Sequence, residues 1–243
     1  MRMNHMIHYL MQLSGKVNPS MYASMQDQSN PHHISMLRQM QKEMKMKNTL
    51  EVPLNELRVV VFDLETTGFY PNKGDAMLSI GAVKVTGETI EKDTFYSLVQ
   101  SSTAPSDEVT ALTGITEEDL ESAPPLSDVL ARFYQFMKGH TLVAHHAKHE
   151  QSFMQHASWS LMRSNFDHRI VDTSFLIRIV DPEQRGFQLE DCCTKCGVEV
   201  KDRHHALGDA KMTAKLWCYY VKKVQELGFT NLREVYERVA RMG

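Results

Sequence analysis

The first residues that could take part in catalysis or metal binding are two carboxylates, Asp63 and Glu65, in the segment FDLETTG at residues 62–68. Residues 58–62, RVVVF, are apolar and β-branched, which predicts a buried strand leading into this segment. Side chains two positions apart on a strand point to the same side, and adjacent carboxylates repel unless a cation lies between them. The pair predicts either a site for a hard divalent ion, Mg²⁺ or Mn²⁺, or two solvated carboxylates at a strand end.

A second group of polar residues, HHALGDA at residues 204–210, opens a predicted helix over residues 206–227. His204 and Asp209 stand five positions apart there, so the Asp lies in the first turn while the His precedes the helix. A metal-bound carboxylate and a nearby imidazole can activate water, because the ion lowers the pKa of bound water and the imidazole removes its proton. Alone, this pattern also fits an ordinary helix start.

The third segment, LVAHHAKHEQSF at residues 142–153, joins a predicted strand to a helix that carries Glu150. His145 and His149 stand four positions apart, a spacing that also occurs in zinc proteases. Residues 146–150 read H-x-x-H-E, and neither H-E-x-x-H nor H-x-x-E-H is present. We therefore do not expect zinc hydrolysis.

The elements that must position these residues alternate between β-rich and helix-periodic segments. Strands are predicted at residues 58–62, 77–85, 89–99, 141–144 and 169–171. Helices are predicted at residues 127–137, 149–162, 173–180, 188–196 and 206–227, followed by a short terminal helix bearing Leu232, Val235, Tyr236 and Val239. A hairpin followed by β/α alternation predicts an α/β fold, with a mixed sheet covered by helices.

The three segments, in this order and at these spacings, resemble the three motifs of the DnaQ-like 3′→5′ exonuclease superfamily, the DEDDh family, and in particular its epsilon and PolC-type proofreading domains. ALTGIT at residues 111–116 and FQLEDCCTKCGV at residues 187–198 also fit that family, so the resemblance covers residues 57–225. The last motif matches the histidine branch, in which His is followed by four residues and Asp, rather than the tyrosine branch.

The resemblance implies a ribonuclease H-like fold with a mixed five-stranded sheet, and a reaction that removes 5′-mononucleotides from nucleic-acid 3′ ends. It implies two Mg²⁺ or Mn²⁺ ions, which would lie on either side of the scissile phosphate. The residues that it assigns to the metals are Asp63, Glu65, Glu150 and Asp209, and His204 becomes the general base. The residues that it places beside the 3′-terminal nucleotide are Thr66, Thr67, Glu108, Leu112 and His146.

The second of the three motifs in chain order departs from the family pattern, because residues 145–150 read HHAKHE where the family has H-N-x-x-F-D. Glu150 keeps the charge of the usual Asp but adds a methylene, and catalytic geometry is sensitive to displacements near 1 Å. Three outcomes stay open: normal activity with a slightly displaced helix, a weakened second metal site, or binding with little turnover. The alternative function is therefore a catalytically weak module that binds 3′ ends or docks on a replication or repair partner.

The chain has 243 residues and a net charge of −3, with 27 basic and 30 acidic residues, which excludes a uniformly basic nucleic-acid coat. Residues 1–50 carry 6 basic and 2 acidic residues and 10 of the 16 methionines, so the remaining chain is at −7. We expect a Met-rich, basic extension over residues 1–56, an exonuclease domain over residues 57–225 and a helical tail over residues 226–243.

Two weak helices are expected in this extension, one around Ile7, Leu10 and Met11 and one with Leu37, Met40 and Met44 on one side. They either pack on the following domain or fray, or they form a docking or nucleic-acid arm. Substrates expected from the resemblance are single-stranded or frayed DNA 3′ ends, with RNA possible. A polymerase or repair partner would be another chain.

Other conspicuous residues have structural interpretations. No apolar stretch reaches the ~18–20 residues that span a bilayer, and we expect a cytoplasmic protein without a membrane partner. Cys192, Cys193 and Cys196 are expected to be reduced core thiols rather than a zinc site. Asp172 is expected to cap a helix or to be a buried structural carboxylate. The two tryptophans, Trp159 and Trp217, are expected to pack in the core.

Overall fold

The computed structural model describes residues 34–35, 37–39 and 49–242. Its center is a five-stranded sheet in the order β3-β2-β1-β4-β5. The strands are β1 (Arg58–Thr66), β2 (Met77–Thr86), β3 (Thr89–Leu98), β4 (Thr141–Ala144) and β5 (Ile170–Asp172). Strands β1, β2 and β3 pair antiparallel, whereas β4 is parallel to β1 and β5 is parallel to β4. The mixed five-stranded sheet expected from the sequence is confirmed.

Helices cover both faces of this sheet. They are α1 (Asp107–Thr113), α2 (Glu117–Glu121), α3 (Leu126–Met137), α4 (Lys148–Met162), α5 (Ser174–Val180), α6 (Leu189–Lys195), α7 (Ala206–Glu226) and α8 (Leu232–Ala240). Short 3₁₀ helices lie at Thr49–Glu51 and Pro71–Lys73. The sequence pattern predicts no element at α1 and α2, where Ser106 and Thr116 cap the two helices with their hydroxyl groups.

Alternation along β1 separates two hydrophobic cores. Val60, Phe62 and Leu64 face a core that includes α3 and α4. Val59 and Val61 face the other core, which α5, α6, α7 and α8 build. Since β1 continues to Thr66, Asp63 and Glu65 lie within the strand and follow Val59 and Val61 on the α7 side. The period of the strand thus places both carboxylates under α7.

One predicted part of the N-terminal extension packs on the domain. Residues 34–35 and 37–39 are helical, and the fully buried Leu37 belongs to the core that includes α3 and α4. Arg38 donates from Nη2 to the backbone oxygen of Met162 at 2.6 Å. Packing is therefore confirmed at Leu37, while the helix around Ile7 and the predicted positions of Met40 and Met44 lie outside the described residues.

Of the two tryptophans expected to pack in the core, one does and one does not. Trp217 is 1% exposed, but Trp159 is 51% exposed, because the buried face of α4 runs through Phe153, Met154, Ala157 and Met162 and leaves Trp159 outside it. All four cysteines are free thiols, and Cys192 and Cys193 are buried in the core. Within the described part of the chain, no helix is long and apolar enough to cross a membrane.

Candidate active site

Three carboxylates meet where β1 passes under the first turn of α7. Asp63, Glu65 and Asp209 each offer an oxygen, and these ligand atoms all lie within 4.8 Å of one another. Asp63 and Glu65 come from alternate positions of β1, and Asp209 is in the first turn of α7. Residues about 145 positions apart in the chain are thus combined in one compact, largely buried acidic cluster.

A close backbone approach brings α7 to this cluster. Gly81 on β2 lies directly opposite Asp63 in the β1–β2 register. A Cβ atom at Gly81 would lie 2.1 Å from the backbone nitrogen of Leu207 and 2.2 Å from the carbonyl carbon of Ala206, so only glycine allows this contact. The start of α7, and Asp209 with it, is therefore held against the sheet by main-chain packing.

The fourth predicted ligand, Glu150, borders this cluster, and its charge acts on Asp63. It lies in the first turn of α4 and is 3% exposed. The start of that helix is fixed by Asp172, whose Oδ2 accepts from Ala147 N at 2.8 Å and whose Oδ1 accepts from Ser174 N at 2.8 Å. The expected structural role of Asp172 is confirmed, and through the start of α4 it positions Glu150.

Burial raises the pKa values of all four carboxyl groups, and repulsion within the cluster adds to this effect at Asp63, Glu65 and Glu150. Burial raises the pKa of Asp63 well above its usual range, and the charges of Glu150, Asp209 and Glu65 raise it further. Burial, followed by the charge of Asp209, raises the pKa of Glu65 to about 7. Burial raises the pKa of Asp209 to about 6, and it also raises that of Glu150, with the charges of Asp172 and Glu65 adding to it. Four carboxylates in this place need positive charge to stay ionised.

The donor set fits divalent metal ions. Glu150 Oε2 and Asp209 Oδ1 are both buried, and neither has a hydrogen-bond partner among the described residues. Buried carboxylate oxygens without partners are costly, and hard cations such as Mg²⁺ and Mn²⁺ take oxygen ligands of this kind. The residues present therefore fit a metal site that Asp63, Glu65 and Asp209 form, with Glu150 at its border.

The two adjacent histidines before α7 have different environments. His205 caps α7 by accepting from Gly208 N at 3.4 Å, and its ring stacks on Tyr96 with a centroid distance of 4.5 Å. His204 precedes it with a positive φ of 58° and is half-buried. Burial, with the nearby charge of Arg203, lowers the pKa of His204, which favours the neutral imidazole that a general base requires.

The histidines of the second motif are divided between structure and surface. His145 is buried, and its Nε2 donates to the backbone oxygen of Phe187 while its Nδ1 accepts from the Thr173 hydroxyl at 2.6 Å. Burial lowers the pKa of His145 to about 4, so this residue is a neutral structural bridge. His146 is exposed and has a positive φ of 61°, and His149 packs against Phe153 with a centroid distance of 4.9 Å.

Four of the predicted substrate contacts lie at the end of β1 and on helix α1. Thr66 ends β1 and donates to Gly68 O at 2.7 Å. Thr67 accepts from Ala76 N at 2.9 Å, so its hydroxyl hydrogen stays available. Glu108 and Leu112 lie on α1, and both side chains are exposed.

Sequence reasoning missed a cation in the cluster. Arg203 forms an ion pair with Asp209 Oδ2 through Nη1 and a second one with Glu190 Oε1 through Nε at 2.6 Å. Arg203 directly precedes the HHALGDA segment, and a basic residue beside predicted metal ligands could have indicated a cation at the cluster. Its partner Glu190 lies 13 positions earlier in α6, and no sequence pattern connects the two.

The mixed five-stranded sheet flanked by helices is the architecture of ribonuclease H-like exonucleases, and the acidic cluster lies at the carboxyl end of its central strand. The family model described as RNase_T, exonuclease, matches residues 60–217. The chain belongs to this exonuclease family, and the expected DnaQ-like domain and hydrolase class are confirmed.

Two relatives illustrate the sequence similarity. A DNA polymerase III subunit epsilon-like protein of Rhodobacter capsulatus is 34% identical over 196 residues, which cover 79% of this chain and 28% of that protein. A PolC-type DNA polymerase III of Caldanaerobacter subterraneus subsp. tengcongensis is 35% identical over 176 residues, which cover 72% of this chain and 12% of that protein. The chain thus spans less than a third of the length of either relative.

Two solved structures share the fold. The nuclease domain of 3′hExo, a DEDDh family member bound to rAMP, has a TM-score of 0.60 and 22% identity, covering 70% of this chain and 92% of that one. E. coli Exonuclease I in complex with a dT13 oligonucleotide has a TM-score of 0.59 and 15% identity, covering 71% of this chain and 42% of that one. These similarities confirm the ribonuclease H-like architecture.

Proposed function

We propose that this protein is a divalent-metal-dependent 3′→5′ exonuclease that releases 5′-mononucleotides by hydrolysis. The observation that carries the proposal is the convergence of Asp63, Glu65 and Asp209 within 4.8 Å, with Glu150 beside them. A cluster of carboxylates with raised pKa values and unpartnered oxygens is suited to hold metal ions rather than to act as a set of isolated acids.

Metal binding would use Asp63, Glu65, Asp209 and Glu150, and the full set is suited to two Mg²⁺ or Mn²⁺ ions. Bound ions would supply Lewis-acid stabilisation of the phosphate and would lower the pKa of the attacking water. Asp63 and Glu65 hold their oxygens through the rigid strand β1, and Asp209 does so through the packed start of α7. Such fixed positions favour catalysis, because ligand geometry is set before the substrate arrives.

His204 would take the proton from the attacking water. It is the free member of the histidine pair, because His205 is committed to the α7 cap and to the Tyr96 stack. The lowered pKa of His204 keeps its imidazole neutral at pH 7, so its ring can accept a proton. His204 precedes α7, which carries Asp209, and its positive φ of 58° sets it outside the helical conformation.

The substrate would be the 3′ end of single-stranded or frayed DNA, with RNA as a second candidate. Thr66 ends the metal-binding strand and Thr67 follows it, so their hydroxyl and backbone groups are suited to contact the terminal nucleotide. The exposed Leu112 offers an apolar surface to a base, with Glu108 one turn before it on α1 and the exposed His146 at the start of the second motif. Oligonucleotide DNA is bound by the similar E. coli Exonuclease I.

The proposed exonuclease domain covers residues 57–225, between an N-terminal extension of residues 1–56 and a tail of residues 226–243. A polymerase or repair partner in another chain is proposed because the relatives are DNA polymerase III proteins. The tail contributes Leu232 and Val235 to the core beside α7, so it supports the domain as well as extending it. The extension contributes Leu37 to the opposite core.

The proposal is tested by digestion of 5′-labelled single-stranded DNA and RNA of the same sequence, with Mg²⁺ or Mn²⁺ and with EDTA. We expect stepwise shortening from the 3′ end, 5′-mononucleotide products and complete loss of activity in EDTA. The matched variants are Asp209→Asn, which removes a ligand charge, and Asp93→Asn, which removes a surface carboxylate paired with Lys84. The first should be inactive and the second unchanged.

Two results would change the conclusion. Activity that survives both EDTA and Asp209→Asn would exclude this site as its source. Tight binding of the labelled 3′ ends without shortening would support the weakly catalytic binding module instead, for which the Glu150 replacement in the second motif provides the structural motivation.

A further inference from the structure

Arg203 places a fixed positive charge against the carboxylates proposed to bind metal. Its side chain is 22% exposed, and its partner Asp209 is 6% exposed, so this ion pair is largely shielded from water. Nη1 contacts Asp209 Oδ2, which leaves Asp209 Oδ1 buried and without a partner. One oxygen of this carboxylate is therefore held by the guanidinium, and the other is available to a metal ion.

The charge of Arg203 acts on the whole three-carboxylate cluster. It lowers the pKa of Asp63, Glu65 and Asp209 against the effect of burial. The same three residues form the candidate metal cluster. The guanidinium therefore supplies part of the positive charge that these carboxylates need in the absence of metal.

A second carboxylate holds Arg203 from the solvent side. Glu190 on α6 accepts from Nε at 2.6 Å, and its side chain is 40% exposed. Because Nε and Nη1 contact different carboxylates, the guanidinium can release Asp209 while it stays bound to Glu190. Arg203 can thus move away from Asp209 and keep its ion pair with Glu190.

We propose that Arg203 is the built-in counter-cation of the metal-free site, and that divalent metal ions compete with it for Asp209. This inference rests on the proposed metal-dependent function. In the metal-free protein Arg203 stabilises the cluster, whereas during loading it opposes the arriving ions by its charge and by its contact with Asp209. Arg203 is a positioning residue that adjusts metal affinity, and it needs no contact with the nucleic acid.

The competition predicts opposite effects on two measurements. Arg203→Gln should bind Mn²⁺ more tightly than the wild-type protein, by ~10-fold in Kd, as is usual for coupling between two ligands. The same variant should unfold about 5 °C or more lower in EDTA, because the buried carboxylates lose their counter-ion. A residue that only oriented Asp209 would instead weaken Mn²⁺ binding when removed.

The experiment is calorimetric titration of the full-length chain with MnCl₂, with thermal unfolding in EDTA on the same samples. Arg233→Gln is the matched control, because it removes one arginine charge from a surface ion pair with Glu51 at 2.5 Å. Its Mn²⁺ affinity should equal that of the wild type. Arg203→Lys keeps the charge but loses the two-point contact, so its affinity should lie between those of the wild type and Arg203→Gln.

The outcomes separate this inference from the function on which it rests. Weaker or unchanged Mn²⁺ binding by Arg203→Gln, with a wild-type protein that binds Mn²⁺, would overturn only the competition. If Arg203→Gln does not fold, weaker binding by Arg203→Lys than by the wild type would overturn it as well. A wild-type protein that binds no Mn²⁺ would contradict the proposed metal-dependent function itself.

Discussion

The two halves of the candidate site are built by different means. The half with Asp63, Glu65 and Asp209 rests on a nine-residue strand and on backbone contact between Gly81 and the start of α7. The half with Glu150 rests on side-chain hydrogen bonds, because Asp172 holds the start of α4. The sequence keeps the family pattern in the half held by backbone and departs from it in the half held by side chains.

This contrast teaches how much change each half can accept. A shift of α7 is opposed by main-chain atoms, which cannot move away by a change of side-chain rotamer. The start of α4 is held by a side chain, which can adjust by small rotations. A longer acidic side chain at position 150 is therefore compatible with a buried, unpartnered Oε2 at the cluster border. We expect disruption of the backbone-held half to have the larger functional effects.

The largest expected effect is that of Asp63→Ala. This change removes the carboxylate on which the charges of Glu150, Asp209 and Glu65 all act. Loss of several kcal/mol of metal-dependent stabilisation corresponds to a rate decrease of ~10³-fold or more. Single-turnover digestion measures it, and residual activity within tenfold of the wild type would contradict the assignment.

His204→Ala should have the next largest effect, because it removes the base without removing a metal ligand. We expect kcat to fall by ~10²-fold or more, which is the usual contribution of a positioned general base, while Mn²⁺ affinity changes little. His205→Ala is the matched comparison, and it should mainly lower stability through the lost cap and the lost Tyr96 stack. If kcat fell further in His205→Ala than in His204→Ala, His205 rather than His204 would be the general base.

Glu150→Asp tests the half of the site that is held by side-chain hydrogen bonds, and we expect a smaller decrease in the rate of digestion there. The shorter side chain withdraws the buried carboxylate from the cluster, and displacements near 1 Å cost up to ~10²-fold. Since α4 is positioned with Glu in place, we expect a decrease of roughly tenfold. A large gain in rate would show instead that Glu150 impairs the native enzyme.

The smallest expected effect is on the pH dependence of stability in the absence of metal. The pKa of Glu65 is raised to about 7 and that of Asp209 to about 6, so the folded protein holds these protons more tightly than the unfolded chain. Their contribution to the free energy of unfolding is therefore complete below about pH 4 and is lost as pH rises toward 7. Thermal unfolding in EDTA should show a midpoint that falls by several degrees over this range.

The same titration compares the two halves. Glu65→Gln and Glu150→Gln each remove one carboxyl group whose pKa is raised by burial. Both should reduce the pH slope in EDTA, and saturating Mn²⁺ should reverse it, because metal binds the deprotonated groups. A midpoint that rises with pH in EDTA would contradict the raised pKa values.

The sequence pattern predicted most of the fold, because β1 and β4 contain short apolar runs typical of buried strands and the long helices carry apolar residues at helical spacing. The side-by-side placement of Asp63 and Glu65 also followed from strand geometry. From the residues alone the three segments were ambiguous, and only their order and spacing, through the resemblance, joined them into one site.

The remaining features depend on contacts between distant parts of the chain. The Glu190–Arg203–Asp209 contacts and the Gly81–Ala206 approach involve residues that no local period connects. The exposure of Trp159 was mispredicted because one helix turn contains several apolar residues, and tertiary packing decides which of them face the core.

The close approach of Gly81 to α7 has a consequence for how the molecule opens. Because main-chain atoms of β2 and of residues 206–207 are in direct contact, the first turn of α7 cannot fray without exposing the face of the sheet at Gly81. Backbone amides at the start of α7, which are usually among the first to exchange in a helix, should exchange with deuterium as slowly as those in β1. Loss of the acidic cluster and global unfolding would then be one cooperative event.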